Sequence, residues 1–142
     1  MDATLEAQGR ASAGETFLVD LVQSWALAIC AKDIERVMSA YAPDVCSFDL
    51  DPPLRYTGAD SKRRAWLKFF SMFPESVSYE LHELSVTAGS DVAFVHSLNH
   101  VKGQQAGGQN SDLWVRWTAC FRRVGGDWLI VHDHASVPAR SK

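Results

Sequence analysis

The last extended segment of the chain decides its fold, and it reads GDWLIVHDHAS over residues 126–136. Aromatic and β-branched residues that follow a Gly-Gly pair are typical of a strand entered from a tight turn. Because successive side chains of a strand point to opposite faces, this segment predicts two different surfaces. One face carries Trp128, Ile130, His132, His134 and Ser136. The other face carries Leu129, Val131, Asp133 and Ala135.

Three segments of the same kind precede it, at residues 77–88, 92–101 and 113–124. Turn signals at Gly89-Ser90 and in the Gly/Gln-rich run 103–110 separate them, so the second half predicts an antiparallel meander. The first half differs, because apolar residues recur at helical spacings of three and four over residues 15–31. Shorter helical patterns follow over residues 34–41 and 61–70. Helices followed by strands predict an α+β domain.

The composition limits the class of protein. The chain has 142 residues, of which 46% are hydrophobic and 22% charged, and its formal net charge is -3. These values predict one soluble domain over residues 14–138, with flexible ends at 1–13 and 139–142. There is no basic excess to favour nucleic acid, and no apolar run approaches the roughly 20 residues that span a bilayer. The scattered Cys30, Cys46 and Cys120 predict buried thiols in a reducing cytoplasm.

Histidines are concentrated inside the predicted strands. All five lie there, and the four taken as candidate site residues are His96, His100, His132 and His134. An imidazole in a strand interior needs hydrogen-bond partners or water, so a solvated outer face and a satisfied core position are both open. The clustering favours a third interpretation, a polar stripe inside a cavity. Two histidines on one strand could share an ion with Asp49 or His96, but no dedicated motif supports this, and we predict neither a metal nor a cofactor.

Two stretches carry a family resemblance. The run from Tyr41 to Gly58, with Asp49 before Pro52-Pro53, resembles the same region of SnoaL-like proteins and ketosteroid isomerases. The final segment resembles the last strand of SnoaL-like domains. It is also similar to the association domain of calcium/calmodulin-dependent kinase, which shares the pattern Trp-x-x-Val-His-x-His-x-Ser. All belong to the nuclear-transport-factor-two-like superfamily. The resemblance covers residues 15–138 and is specific for the fold, but it is poor for function.

The resemblance implies a cone, in which a curved antiparallel sheet wraps around the N-terminal helices and leaves a central pocket. It also implies which side chains face that pocket. The expected substrate-binding residues are Trp25, Trp66, His100, Trp117, Ala119, Phe121 and Ser136. The expected catalytic residues are Asp49, His96, His132 and His134. Asp133 alternates away from the two histidines beside it, so we expect it on the outside, paired with Arg116 or Arg122.

Asp49 falls where the isomerase has its general-base aspartate, and a carboxylate there can remove a proton next to a carbonyl. The isomerase's two oxyanion donors correspond to Trp25 and Ala119, of which only the indole can donate. The steroid-isomerase reaction is therefore not expected. Histidines can replace such donors, because a neutral imidazole donates one hydrogen bond, accepts another and titrates near neutral pH.

These observations predict a cofactor-independent acid/base enzyme of the isomerase, cyclase or dehydratase type. Its substrate would be a small hydrophobic carbonyl or hydroxy compound. One alternative is a non-catalytic small-molecule-binding or assembly module, like the kinase association domain. A third is an activity like that of the metal-free carbonic anhydrases, which share the fold. Relatives commonly form dimers through the convex sheet face, so we expect a homodimer with Trp114, Arg116 and Thr118 at its interface.

Overall fold

The structure is a computed structural model, and it describes residues 12–140. Helix α1 (Ala13–Cys30) begins with a reciprocal cap, in which the Glu15 N–H donates to the Ser12 hydroxyl and the Ser12 N–H donates to the Glu15 carboxylate. This capping box satisfies two amides that have no partner inside the helix. The hydrogen bonds from Ser12 also hold the pKa of Glu15 below its usual value. Most of the predicted flexible N-terminus, and residues 141–142, lie outside the described part of the chain.

One side of α1 packs into the domain. Its buried residues are Leu18, Val22, Trp25, Ala26, Ala28 and Ile29. By length and mean hydropathy, 1.2, the same helix would also qualify to cross a membrane. A core helix meets that measure equally well, and the packed face of α1 gives it the role of a core helix in this domain.

Two further helices complete the helical layer. Helix α2 (Ile34–Met38) is capped by Asp33, whose carboxylate accepts from the Arg36 N–H at 3.3 Å. It ends before the predicted boundary at residue 41, because the chain joins the sheet there and the Ile130 N–H donates to the Ala40 carbonyl at 2.8 Å. Helix α3 (Ala59–Ser71) begins after Gly58, whose φ of 90° suits a residue without a side chain.

Six strands form a single sheet. They are β1 (Tyr41–Phe48), β2 (Tyr56–Thr57), β3 (Val77–Ala88), β4 (Val92–Gln104), β5 (Asn110–Val124) and β6 (Asp127–Ser136). Their order is β2-β1-β6-β5-β4-β3, and every neighbouring pair is antiparallel except β1 and β6. The sheet is curved and unclosed around the helices, so the predicted α+β cone is confirmed. We call the side facing α1 and α3 the inner face and the opposite side the outer face.

A β-bulge in β6 sets which residues reach the inner face. Phe121 pairs with Ile130, whereas the preceding Cys120 pairs with His132, so Val131 has no partner in β5. An unpaired residue restarts the alternation of side chains on its strand. Trp128 and Ile130 are therefore buried before the bulge, and Asp133 is buried after it. The strict alternation predicted from the sequence fails at this one residue.

Candidate active site

A cavity of about 270 Å³ opens between α3 and the inner face of the sheet. Trp66, Phe69 and Val115 form part of its largely apolar wall, while Asp49 and Asp51 stand at the end of β1. Pockets that bury a small ligand combine an apolar lining with a few placed polar groups, and their volumes start near roughly 300 Å³. This cavity lies just below that range, so it suits only a small molecule.

A wider depression of about 400 Å³ lies outside the cone, between α1 and α2. Its lining includes Phe17, Ser24 and Arg36, and the Arg36 guanidinium donates to the Ser24 hydroxyl at 3.0 Å. The side chains of this depression include no buried charge, since Arg36 and Asp20 are both exposed. The cavity inside the cone is therefore the candidate active site.

The deepest part of the cone is filled by aromatic side chains. Trp25 stacks on Trp117 with ring centroids 4.6 Å apart and planes at 11°. Trp66 and Tyr79 meet Trp25 edge-on at 5.8 and 5.6 Å. Among the predicted pocket walls, Trp66 lines the cavity, whereas Trp25, Trp117, Ala119 and Phe121 are core residues beneath it. The open space is consequently a small chamber at one side of this aromatic cluster.

A lysine occupies the polar centre of the site. Lys62 is 4% exposed, and its Nζ lies 3.1 Å from Asp49 Oδ2, 2.9 Å from Ser47 Oγ and 3.7 Å from Asp133 Oδ2. A buried ammonium is stable only when charged and polar partners surround it. Lys62 therefore fixes Asp49 at the cavity, because the same ammonium is anchored from behind by Asp133.

Asp133 is itself fully enclosed, at 2% exposure. The Ser47 hydroxyl donates a hydrogen bond to Oδ1, and the Trp117 indole N–H donates to Oδ2 at 3.4 Å. Ser47 and Asp133 face each other because they are register partners in the parallel pair of β1 and β6. The expectation that Asp133 lies outside, paired with Arg116 or Arg122, is wrong. The bulge at Val131 turns it inward.

A second polar chain approaches the cavity from the sheet. The Ser97 hydroxyl donates to Asn99 Oδ1 at 2.5 Å, and Asn99 Nδ2 donates to the Tyr79 hydroxyl oxygen at 2.9 Å. Tyr79 lines the cavity, and burial raises its pKa above the usual value. The phenol therefore stays neutral at physiological pH, and its own proton is free to be donated.

Tyr41 lies beside the same network and is buried at 5% exposure. Its hydroxyl accepts a hydrogen bond from the Trp66 indole N–H at 3.0 Å. Burial, and then the charge of Asp133, raise the pKa of Tyr41 well above its usual value. Tyr41 holds the orientation of Trp66, and with it one wall of the cavity.

Together these residues offer one carboxylate, one neutral phenol and one fixed ammonium next to an apolar chamber. Asp49 is the partly accessible member, since 29% of its side chain is exposed. A carboxylate can take up a proton, a phenol can donate a hydrogen bond to a developing oxyanion, and the lysine keeps the carboxylate in place. The arrangement is suited to moving a proton on a bound small molecule.

The predicted histidines of β6 do not reach this chamber. His132 Nδ1 lies 2.7 Å from the Cys46 carbonyl oxygen, and His134 is exposed. Both rings meet Phe48 edge-on, at 4.7 and 5.4 Å, on the outer face. Ser136 lies there too, where its hydroxyl accepts from Arg116 at 3.1 Å. The expectation that these side chains face the pocket is wrong, and the bulge is again the reason.

The histidines of β4 are also outside. The residues that β4 buries are Ala93, Val95, Ser97, Asn99 and Val101. His96 is exposed, and His100 stacks on Trp114 on the outer face. The alternation predicted for this strand is right, but its other face points inward. Ser97 and Asn99 can lie there because the Ser97 hydroxyl donates to Asn99 and Asn99 donates to Tyr79. Trp114, Arg116 and Thr118 are exposed on the outer face, and their role in a dimer stays a prediction.

Three important residues of the site are absent from the sequence-based prediction. Lys62 shares the inner side of α3 with Trp66 and Phe69, at spacings of four and seven, so the helical period contains the signal. Tyr79 and His82 are three residues apart on β3, so strand alternation places Tyr79 on the inner face when His82 lies on the outer face. Asp133 carries no such signal, since one unpaired residue in β6 reverses its face.

Comparison with known proteins agrees with this geometry. The SnoaL-like domain matches residues 18–140. An NTF2-like protein of unknown function from Pseudomonas putida KT2440 is 30% identical, over 90% of this chain and 89% of that one, with a TM-score of 0.81. No curated protein matches the sequence.

More distant structures share the fold. A ketosteroid isomerase-like protein from Erwinia carotovora is 20% identical over 88% of this chain and 96% of that one, with a TM-score of 0.75. The association domain of CaMKII from C. elegans is 18% identical over 88% and 96%, with a TM-score of 0.71. The cone, its chamber and the match over residues 18–140 lead to one conclusion: the chain belongs to the SnoaL-like domain family of the NTF2-like superfamily.

Proposed function

We propose that this protein is an acid/base enzyme that needs no cofactor and acts on a small, largely apolar carbonyl or hydroxy compound. One observation carries the proposal: Asp49 borders an apolar chamber and is held there by Lys62, which is itself buried and anchored by Asp133. A surface aspartate in a turn would not need a buried counter-charge, and burying one is costly. The arrangement therefore supports a function that depends on the position of the Asp49 carboxylate.

In the proposed reaction, Asp49 takes a proton from the carbon next to a carbonyl group. The electron pair of the broken C–H bond forms a C=C bond, and the carbonyl π electrons move to its oxygen, which becomes an enolate oxyanion. The Tyr79 hydroxyl donates a hydrogen bond to that oxygen. If the substrate carries a C=C bond between its β and γ carbons, the enolate is conjugated with that bond. Asp49 then returns the proton to the γ carbon, a C=C bond forms between the α and β carbons, and the oxyanion electron pair re-forms the C=O bond. This completes an isomerisation and restores the carboxylate.

Lys62 is a positioning residue in this scheme. Its ammonium holds one oxygen of Asp49, Oδ2, while the Leu50 N–H donates to the other, Oδ1, at 2.8 Å. Contacts on both oxygens restrict rotation of the carboxylate and keep it at the edge of the chamber. Restricted geometry of this kind is a large part of enzymatic rate enhancement.

Exchange of α-protons in D₂O tests the proposal whatever the final product of the reaction is. Small cyclic ketones and enones would be incubated with the protein, and NMR would follow loss of the α-proton signals. We expect the wild-type protein to accelerate exchange for the ketones that fit the chamber. We expect Asp49→Asn to lower the rate about 100-fold or more, since the amide cannot accept the proton.

His134→Ala is the matched control, because this histidine is exposed on the outer face. It should exchange protons at the wild-type rate. The assignment of Asp49 is wrong if the Asp49→Asn variant exchanges protons as fast as the wild type, with both variants folded by circular dichroism. Loss of proton exchange in the His134→Ala variant would instead indicate that the histidines of β6 take part in the reaction.

A further inference from the structure

Four polar side chains from three neighbouring strands converge on the outer face of the sheet. Glu80 and His82 come from β3, His100 from β4 and Asp112 from β5. Glu80 is the direct register partner of His100, so their side chains start on the same face at adjacent positions. This cluster lies on the opposite side of the sheet from Asp49 and Lys62, and the proposed chemistry does not use it.

The distances in the cluster suit a metal ion. Glu80 Oε1 lies 3.5 Å from His82 Nε2 and 3.6 Å from His100 Nδ1. One donor atom from each of the three residues falls within 4.8 Å of the other two. Tetrahedral zinc with bonds of about 2.0–2.1 Å separates its ligand atoms by about 3.3 Å. Two of the three separations already match this value, and a small movement of the exposed His82 would bring the third into range.

The surroundings of His100 are those of a metal ligand. Its second ring nitrogen, Nε2, lies 2.6 Å from Asp112 Oδ1, which leaves Nδ1 to face Glu80. A histidine that binds a metal through one nitrogen usually donates the other N–H to a carboxylate, which fixes the tautomer and the ring orientation. Trp114 adds a second restraint, because its ring stacks on His100 at 4.1 Å with planes at 5° and packs against His82 at 4.9 Å.

We propose that Glu80, His82 and His100 form a zinc site on the outer face, with Asp112 orienting His100 from behind. Two imidazoles and one carboxylate are a donor set that zinc accepts, and water fills the fourth position. A bound ion would link β3 to β4 and would stabilise the folded chain, because the unfolded chain does not hold the three donors together. The site is independent of the proposed activity in the cone.

The rival explanation is a set of hydrogen bonds and ion pairs with no affinity for metal. Calorimetric titration of the untagged, chelator-treated protein with Zn²⁺ separates the two. We expect saturable binding of one ion per chain. His82→Ala and His100→Ala should each weaken it by roughly tenfold or more, and Asp112→Asn should weaken it by roughly tenfold through His100.

His96→Ala is the matched control, since this histidine lies on the same strand and face as His100 but outside the cluster. It should bind zinc like the wild type. Zinc should also raise the melting temperature of the wild-type protein and of the His96 variant, but not that of the His82 variant. The His82 side chain is 44% exposed, so His82→Ala should leave the protein folded. A loss of zinc binding in this variant therefore reflects the loss of a ligand.

A zinc-soaked crystal gives the structural readout. The expected result is an anomalous peak about 2.0–2.1 Å from one nitrogen of each histidine and from a Glu80 oxygen. The proposal is overturned if the wild-type protein does not bind zinc saturably. It is also overturned if the His82 and His100 variants bind as tightly as the parent, or if the peak lies elsewhere.

Discussion

The two faces of the sheet use polar residues in opposite ways. The inner face buries Ser47, Ser97, Asn99 and Asp133, each with a hydrogen-bond partner inside the protein. The outer face carries all five histidines of the chain, His82, His96, His100, His132 and His134. Short side chains with partners in the protein therefore lie in the core, whereas the imidazoles lie on the outer face, where His82, His96 and His134 are exposed and His100 and His132 are half-buried.

This division indicates which kind of chemistry each face of the sheet can support. A buried polar group without a partner costs free energy, so the inner face keeps groups that the fold itself can satisfy. Those groups hold Asp49 and Tyr79 in position, which suits proton transfer on an enclosed molecule. The outer face is open, so its imidazoles can exchange protons with water or bind an ion. A strand histidine is thus a poor marker of the cone interior in this protein.

The largest expected effect comes from removing the charge at the centre of the inner face. Lys62→Met leaves Asp133 buried without its counter-charge, and loss of one partner of a buried pair costs about 3–5 kcal/mol. We therefore expect the free energy of unfolding, measured by urea denaturation, to fall by that amount. The proton-exchange rate should fall as well, because Asp49 loses its anchor.

Lys68→Met is the control on the same helix for the free energy of unfolding, since Lys68 is exposed at the rim of the cavity. It should change the free energy of unfolding by less than about 0.5 kcal/mol. Equal effects of the two substitutions would show that Lys62 contributes no more than a surface lysine. A buried lysine on the inner face would then contribute no more to the free energy of unfolding than an exposed one.

A pair of tryptophans compares the two faces through packing instead of charge. Trp128 is 5% exposed on the inner face, whereas Trp114 is 48% exposed on the outer face. Trp128→Ala should lower the free energy of unfolding by about 3–5 kcal/mol, because it opens a cavity in the core. Trp114→Ala should lower it by about 1 kcal/mol, from lost stacking on His100. Similar melting curves for both variants would contradict the assignment of faces.

Much of the fold can be predicted from sequence patterns. The patterns predict the third strand over residues 77–88, as observed, and the long first helix within two residues at its start. Side-chain alternation and helical spacing are local properties, so one sequence suffices to find them. The boundary between α2 and β1 is predicted less well. The helical pattern over residues 34–41 runs into β1, which begins at Tyr41, where the chain pairs with β6.

The site is harder to predict because it depends on how neighbouring strands pair. The face of Asp133 is decided by one unpaired residue, Val131, and that bulge exists only in the pairing of β6 with β5. Asp49 reaches the cavity as the resemblance implies, and helical spacing places Lys62 on the inner side of α3, but the contact between the two side chains depends on how the helix packs on the sheet. Of the two lysines in α3, Lys62 is the one that faces the Asp49 and Asp133 carboxylates.

Alkaline pH tests the inner side of the sheet through its tyrosines and gives the smallest expected effect. Burial raises the pKa of Tyr41 and Tyr79 on the inner side, so both stay neutral in the folded protein when the unfolded chain ionises them near pH ~10. Their contribution to stability is therefore complete below that pH and is lost as pH rises above it. Urea denaturation from about pH 8 to 11 should show this decline. The Tyr41→Phe/Tyr79→Phe double variant should show a flatter one. Tyr56→Phe should flatten it less, because burial raises the pKa of Tyr56 only at the more exposed edge of the cavity. An equally steep decline in the double variant would show that groups other than Tyr41 and Tyr79 titrate in this range.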